Sequence, residues 1–356
     1  MPTGGATPYA DLFCGAGLGA LGFTRAGFKP CVAYDTDEGA SKVYEANLGL
    51  KPLNGDLSSV SGRDILKEAG FEKGDLPLVV GCPPCQSFSS LRKTTLGKRK
   101  DDRKGLLKRY ADLVAEMLPK AAVLENVSGL SYANRWHLDR FVSTLKRAGY
   151  MVAWDVVDAS DYGVPQRRRR VVAIASRVRK PALPARTHRN PKEPGAGPRW
   201  RTVKDAIAGL PPLQAGEASP GDPLHFAPDH GERTLRLIRS IPRDGGSRRD
   251  LPPELWLPCH AALEKRGEYG AGSSYGRMKW DEPSPTVTTR FLSPSCGRFV
   301  HPSQDRAISI REAARLQTVP DSYGFEGNRT QISAWIGNGM PVDLAEAVAR
   351  QVSLAI

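Results

Sequence analysis

The stretch DLFCGAGLGALGF, residues 11–23, sets Gly15, Gly17, Gly19 and Gly22 between an apolar run and an amphipathic one. YADLF (9–13) reads as a buried strand and residues 18–27 as a helix, so the glycines fall at a strand-to-helix turn. The pattern repeats along the chain. KPCVAYD (29–35) reads as a strand and DEGASKVYEANL (37–48) as a helix. LPLVV (76–80) is a strand, and GLLKRYADLVAEML (105–118) a helix with Leu106, Tyr110, Leu113 and Met117 on one face. AAVLENV (121–127) is a further strand and RWHLDRFVSTLKRAG (135–149) a helix; YMVAWDVVDA (150–159) and RRVVAIA (169–175) are two neighbouring strands. Strands alternating with helices predict a doubly wound α/β sheet with ligands at the carboxyl ends of its strands.

The texture changes near Ser176. From there to about Trp280 the chain is rich in Pro, Gly, Arg and isolated Trp, and segments such as NPKEPGAGPRW (190–200) and RSIPRDGGSRRD (239–250) read as loops. Order returns with SIREAARLQTV (309–319) and PVDLAEAVARQVSLA (341–355). The expected division is 1–179, a smaller loop-rich domain over 180–280, and 281–356, whose last helix returns to the first domain.

With 40% hydrophobic and 25% charged residues among 356, the chain has an ordinary globular composition. No apolar run approaches the roughly 20 residues that span a bilayer, and MPTGGATPYADLF is no signal peptide. A cytoplasmic protein without a membrane partner is expected. Six cysteines are too few for a disulfide scaffold at this length. The net charge of +13 points to a polyanionic partner, or to a generally basic protein.

A glycine-rich turn between strand and helix suits a nucleotide or adenosyl group, because glycine permits the tight turn and a close ligand approach. Asp35, at the end of the second strand, is placed for ribose hydroxyls, and Asp56 for an adenine amino group. Pyrophosphate and S-adenosylmethionine ligands are not separated by this stretch, and a tight packing turn would read the same. GCPPCQSFSS (81–90) follows the third strand. Cys82 and Cys85 have zinc spacing, yet no second pair completes a ligand set, so no metal is expected. A thioredoxin-like pair would stand at a helix start, and helical pattern resumes only near Gly105. A buried thiol fits Cys85 poorly, because the chain is leaving the sheet for a loop. Between Arg92 and Arg109 lie nine basic and two acidic residues, and such charge favours a nucleophilic thiolate.

PPCQ after one strand, ENV after the next and Gln-x-Arg-x-Arg before another resemble the C5-cytosine DNA methyltransferases of prokaryotic or phage type. DLFCGAG resembles that family's first motif, GCPPCQSFS its nucleophile motif, LENVSGL its glutamate motif and YGVPQRRRRVVAI its arginine motif. SPTVTTR with SIREAARLQTVPDSY, and IGNGMPVDLAEAVA, resemble its late motifs. The match runs in family order from Tyr9 to the C-terminus and leaves about 180–280 unmatched.

The resemblance implies a Rossmann-like mixed sheet, with 1–179 catalytic and 180–280 a target-recognition domain. It implies methyl transfer from S-adenosylmethionine to cytosine C5 in a specific sequence of double-stranded DNA. Cys85 would be the nucleophile at C6, Glu125 the acid at N3, and Arg170 the contact to O2 with Arg168 in support. Phe13, Gly15, Gly17, Asp35, Thr36, Asp56, Leu57, Pro84, Leu106 and Asn338 would hold the cofactor. Gln86, Ser87, Asn126 and Gln166 would line the substrate. One departure is visible: the family often has Glu and an aromatic where this chain has Asp35-Thr36. A base inside a duplex must be flipped out to reach such a pocket, and the basic loop 92–109 is expected to close over it. The protein is expected to act as a monomer, with a restriction endonuclease as a candidate companion. The competing readings are a tRNA cytosine-C5 methyltransferase and a catalytically silent DNA-binding relative.

Overall fold

A computed structural model describes residues 5–84, 105–258, 262 and 273–356. The chain divides into two compact units: Met1–Tyr162 with Arg169–Arg186 and Gly339–Ile356, and Gly163–Arg168 with Thr187–Asn338. Residues 281–338 thus belong with 187–280 rather than forming a separate stretch, whereas a boundary at 280 was expected.

The first unit is built on β1 (Thr7–Leu12), α1 (Leu18–Arg25), β2 (Phe28–Asp35), α2 (Glu38–Leu48) and β3 (Leu53–Asn54). α3 (Gly62–Ala69), β4 (Leu78–Gly81), α4 (Leu106–Met117), β5 (Ala121–Val127), α5 (Arg135–Arg147), β6 (Met151–Asp158) and β7 (Arg169–Ser176) follow. The seven strands lie in the order β3-β2-β1-β4-β5-β7-β6. β7 runs antiparallel to β5 and β6, and the ladders β3-β2, β2-β1, β1-β4 and β4-β5 are parallel. This is a doubly wound, Rossmann-like mixed sheet. β4 and β5 are buried throughout their apolar runs, as strands covered by helices on both faces must be. The order reverses beside β1, so a crevice opens at the carboxyl ends of β1 and β4.

Two local features tighten this unit. A Cβ at Gly22 would stand 2.4 Å from the carbonyl oxygen of Val342, so α1 meets the closing helix Val342–Ser353 at backbone distance. α4 buries Leu107, Tyr110, Ala111, Leu113, Val114 and Met117. Leu106, expected on that face, is only half-buried, because the helical period places Leu107 one turn before Tyr110 and Ala111. α3 was not anticipated, although Ser61 and Asp64 form a capping box at its start.

The second unit is less bare of structure than its sequence suggests. It holds α6 (Val203–Ile207), a hairpin of β8 (Ala218–Ser219) and β9 (Asp222–Phe226), α7 (Glu232–Ser240), and the helices Ile310–Leu316 and Arg329–Asn338. A buried ionic cluster joins these pieces. Arg306 reaches both oxygens of Glu312 at 2.7 and 2.8 Å. Arg277 donates to the carbonyls of Ile238 and Ile241 and pairs with Asp305; Arg311 pairs with Asp222. Polar pairs carry much of the tertiary definition here, which apolar periodicity does not reveal. No helix among the described residues is long and apolar enough to cross a membrane.

Candidate active site

The carboxyl ends of β1, β2, β4 and β5 line up at one edge of the first unit. Leu12 is paired with both Tyr34 and Gly81, so the turns leaving β1, β2 and β4 begin side by side. After β1 the backbone turns left-handed at Phe13 (φ 61°), Gly15 (φ 52°) and Gly17 (φ 82°). Phe13 bears this unfavourable conformation because the next amide, of Cys14, donates to the Tyr34 carbonyl at 3.1 Å. The Gly15 amide then points at Asp35, donating to its Oδ2 at 2.7 Å, and the Asp37 amide donates to Oδ1 at 2.9 Å. Each Asp35 oxygen keeps lone-pair capacity for a ligand hydroxyl. No atom lies within 4 Å of where a Gly15 Cβ would sit, so the turn leaves room beside its backbone. An adenosyl ligand fits this combination of open glycine turn and anchored carboxylate.

Thr36 and Asp56 are exposed near the ends of β2 and β3, while Leu57 is buried. Asp56 Oδ1 accepts the Ser58 amide at 2.8 Å, a bond that holds its carboxyl below the usual range. Pro84 is exposed at the end of the turn leaving β4. Cys85, Gln86, Ser87 and most of the basic loop 92–109 lie outside the described residues. Asn338 is exposed at the end of its helix in the second unit.

Glu125 and Arg170 come together through sheet register. Glu125 faces Val172 across the antiparallel ladder and Val127 faces Arg170, so Glu125 and Arg170 are diagonal neighbours on one face. Arg170 Nε stands 3.0 Å from Glu125 Oε1, both side chains largely buried. That oxygen nevertheless receives no aligned hydrogen bond from the described residues. The neighbouring Asn126 is buried and donates Nδ2 to the Pro83 carbonyl at 3.3 Å, while its Oδ1 accepts the Val127 amide at 2.8 Å. Asn126 therefore ties the end of β5 to the turn after β4.

The four consecutive arginines separate by environment. Arg167 and Arg169 are exposed, and Arg168 is buried. Arg168 donates to the carbonyls of Val287 and Gly337 at 3.1 and 3.0 Å, which makes it a brace within the second unit. Gln166 is likewise buried: Nε2 donates to Leu316 and Gln317, and Oε1 accepts the Val287 amide. Gln166 thus braces the backbone at Leu316 and Val287 and the Gln317 side chain.

Sequence reasoning passed over Asp11. It is buried in β1 and accepts the Tyr44 hydroxyl at 3.1 Å. Burial pushes its carboxyl up to about 7, with the Tyr44 bond opposing and Asp35 adding to the rise. An acid inside the apolar run YADLF was the available signal.

Comparisons with known proteins bear on this geometry. A family model described as C-5 cytosine-specific DNA methylase matches residues 8–354. The chain belongs to that family. It is 37% identical over 350 residues to the type II methylase M.HgiDII of Herpetosiphon aurantiacus, covering 96% of this chain and 94% of the relative. It is 33% identical to the type II methyltransferase M1.HphI of Haemophilus parahaemolyticus, over 97% of this chain and 86% of that one. Among solved structures, a chain described as a DNA modification methyltransferase encoded within an Escherichia coli prophage aligns with a TM-score of 0.67 at 24% identity. That alignment covers 98% and 99% of the two chains and speaks for the shared fold.

Proposed function

We propose that this family member methylates C5 of a flipped-out cytosine in a specific duplex DNA sequence, through a covalent bond between Cys85 and C6. The observation that carries the reading is Glu125, buried at a strand end with an oxygen lacking an aligned partner and Arg170 3.0 Å away. A buried acid in that state suits a ligand that completes its bonding. Protonated Glu125 donates to the N3 position of the ring, and Arg170 donates to O2. Both draw off the charge that builds when the Cys85 thiolate forms its bond to C6 and an electron pair moves to C5. Once C5 carries the methyl group that S-adenosylmethionine would supply, loss of the C5 proton to solvent and cleavage of the C6–S bond return the aromatic ring and the thiolate. The role of Cys85 rests on the PPCQ resemblance.

S-adenosylmethionine supplies an electrophilic methyl group when bound. Gly15, Gly17, Phe13 and Asp35 would hold its adenosyl part, with Asp56, Leu57, Thr36, Pro84, Leu106 and Asn338 as further contacts. The second unit is the proposed reader of sequence, through base edges in the major groove. The type II names of the relatives support a place beside a restriction endonuclease.

Incubation with labelled S-adenosylmethionine and either duplex DNA or tRNA tests the reading. Label should enter DNA alone, and bisulfite sequencing should find it at one recurring sequence. Label in tRNA alone would overturn the DNA assignment, and no transfer to either would favour a silent binding relative.

A further inference from the structure

We infer that Arg109 is a positioning residue for the cofactor's base: from α4 it clasps the turn after β3 and so aims Asp56 at an adenine. The inference rests on the reading of Asp56 and Leu57 as adenine contacts. β3 is only two residues long, with Leu53 paired to Tyr34 and Asn54 to Asp35, so the sheet stops anchoring the chain just before Asp56. The Ser59 amide then donates to the Asp56 carbonyl at 3.0 Å and closes a tight turn. Arg109 holds that turn from outside. Its Nε donates to the Leu57 carbonyl at 3.1 Å and its Nη2 to the Val60 carbonyl at 2.7 Å. A guanidinium keeps its donors in a fixed plane, so two carbonyls bound to one fork cannot shift independently.

One peptide group carries this hold to the carboxylate. The Leu57 carbonyl and the Ser58 amide belong to the same planar unit and point in opposite directions. Arg109 binds its carbonyl side, and the amide side donates to Asp56 Oδ1 at 2.8 Å. The Asp56 carboxylate is therefore oriented by a plane that Arg109 fixes. A second hold fixes the fork itself. Arg109 Nη1 donates to Glu116 Oε1 at 2.7 Å, and Glu116 Oε2 accepts the Gly62 amide, also at 2.7 Å, at the start of α3. Positions 109 and 116 lie seven apart on one helix face, so α4 grips the stretch at two points about 10 Å apart along its axis. Gly62 permits the approach, because a Cβ there would stand 2.6 Å from that of Glu116. Between the two grips, Leu57 buries its side chain in the same core cluster as Leu113 and Met117 of α4.

The test is calorimetric binding of S-adenosylhomocysteine and S-inosylhomocysteine to the full-length enzyme. The inosine form offers a carbonyl oxygen where adenine offers an amino group, so a carboxylate aimed at that edge rejects it. Wild-type enzyme should prefer the adenosyl form by about tenfold, the equivalent of one charge-assisted hydrogen bond, and Asp56→Ala should lose that preference. Arg109→Met should lose most of it too, and should add little in the Asp56→Ala background, because it acts through Asp56. In methyl transfer the loss should appear in KM for S-adenosylmethionine rather than in kcat. Arg109→Lys keeps the charge without the fork and should fall between. A folded Arg109→Met that discriminates like wild type, while Asp56→Ala does not discriminate, overturns the inference and leaves the adenine reading standing. If Arg109→Met does not fold, wild-type preference in Arg109→Lys overturns it instead. Fully additive losses in the double variant also overturn it, since Arg109 would then act elsewhere. Undiminished preference in Asp56→Ala overturns the adenine reading itself, and the inference with it.

Discussion

The ring of Tyr110 closes on Gly81 so tightly that a Cβ on that glycine would stand 2.3 Å from the tyrosine Cε2. The ring cannot retreat easily: its hydroxyl donates to the Val123 carbonyl at 2.6 Å, and it stacks on Phe141 with centroids 6.0 Å apart. Gly81 opens the GCPPC turn, so Tyr110 sets the height of that turn against β5. Gly81→Ala should destabilise the fold by about 1–3 kcal/mol through overpacking. Its methyl transfer should fall further than its folded fraction, as denaturant titration and activity on one preparation will show. Tyr110→Phe, losing one buried hydrogen bond, should cost about 1 kcal/mol.

Asp35 joins the glycine turn to β2 through the Gly15 amide, and it is the residue proposed to hold the ribose. Asp35→Ala should weaken S-adenosylmethionine binding by about ten- to a hundredfold, from loss of a charge-assisted bond of roughly 1.5–3 kcal/mol. DNA affinity should change little. Calorimetry showing undiminished cofactor affinity would remove Asp35 from the ribose role.

Glu125→Gln keeps the side chain's shape and removes the proton it would donate. A drop in kcat of about 10²–10⁴ is expected, with DNA binding retained. Arg170 then lacks its ionic partner, so thermal melting must accompany the kinetics. A variant with normal turnover would leave Glu125 a structural acid.

Acid should weaken the second unit in two stages. Burial pushes His301 down to about 4; Glu312 opposes the shift, while Arg306, Arg277 and His225 add to it. A histidine lowered from 6.5 favours folding above pH 6.5, and that contribution fades as pH falls toward 4. Burial would raise the Glu312 carboxyl, yet two bonds from Arg306, with His301 and the Ser309 amide, bring it to about 2. Its contribution is complete above about 4.5 and fades toward pH 2. Calorimetric melting between pH 7 and 3 should show a falling midpoint that begins below pH 6.5. A midpoint constant down to pH 4 would contradict the buried neutral histidine.

The proposed reader of sequence should move with its unit. Exchange of 187–338 for the counterpart from a relative of different specificity should change the methylated site. A cut at 280 severs Arg277 from Asp305, Asp222 from Arg311 and His225 from Ser309. The chimera joined there should melt at lower temperature than the one exchanged as a whole unit. Equal melting would mean that these buried pairs do not define the unit.

The alternation of apolar runs with amphipathic ones determined the α/β sheet, because each period follows from local backbone geometry. AAVLENV was legible to the residue, its ends marked by a helix stop and by the turn into the next element. Ordered motifs likewise carried the family, since PPCQ, ENV and Gln-x-Arg-x-Arg are contiguous in the chain. The roles inside QRRRR were not legible: four adjacent arginines differ only in what surrounds them. Tertiary structure buried Arg168 under Val287 and Gly337, laid Arg167 on Trp200 and set Arg170 diagonal to Glu125. It also showed Gln166 and Asn126 bonded to backbone of other elements, and Asp11 as a buried acid. The reason is physical. A strand's period is written in neighbouring residues, whereas a polar side chain's task depends on distant partners, such as the Gly337 carbonyl 169 positions from Arg168, which only the folded chain brings to 3.0 Å.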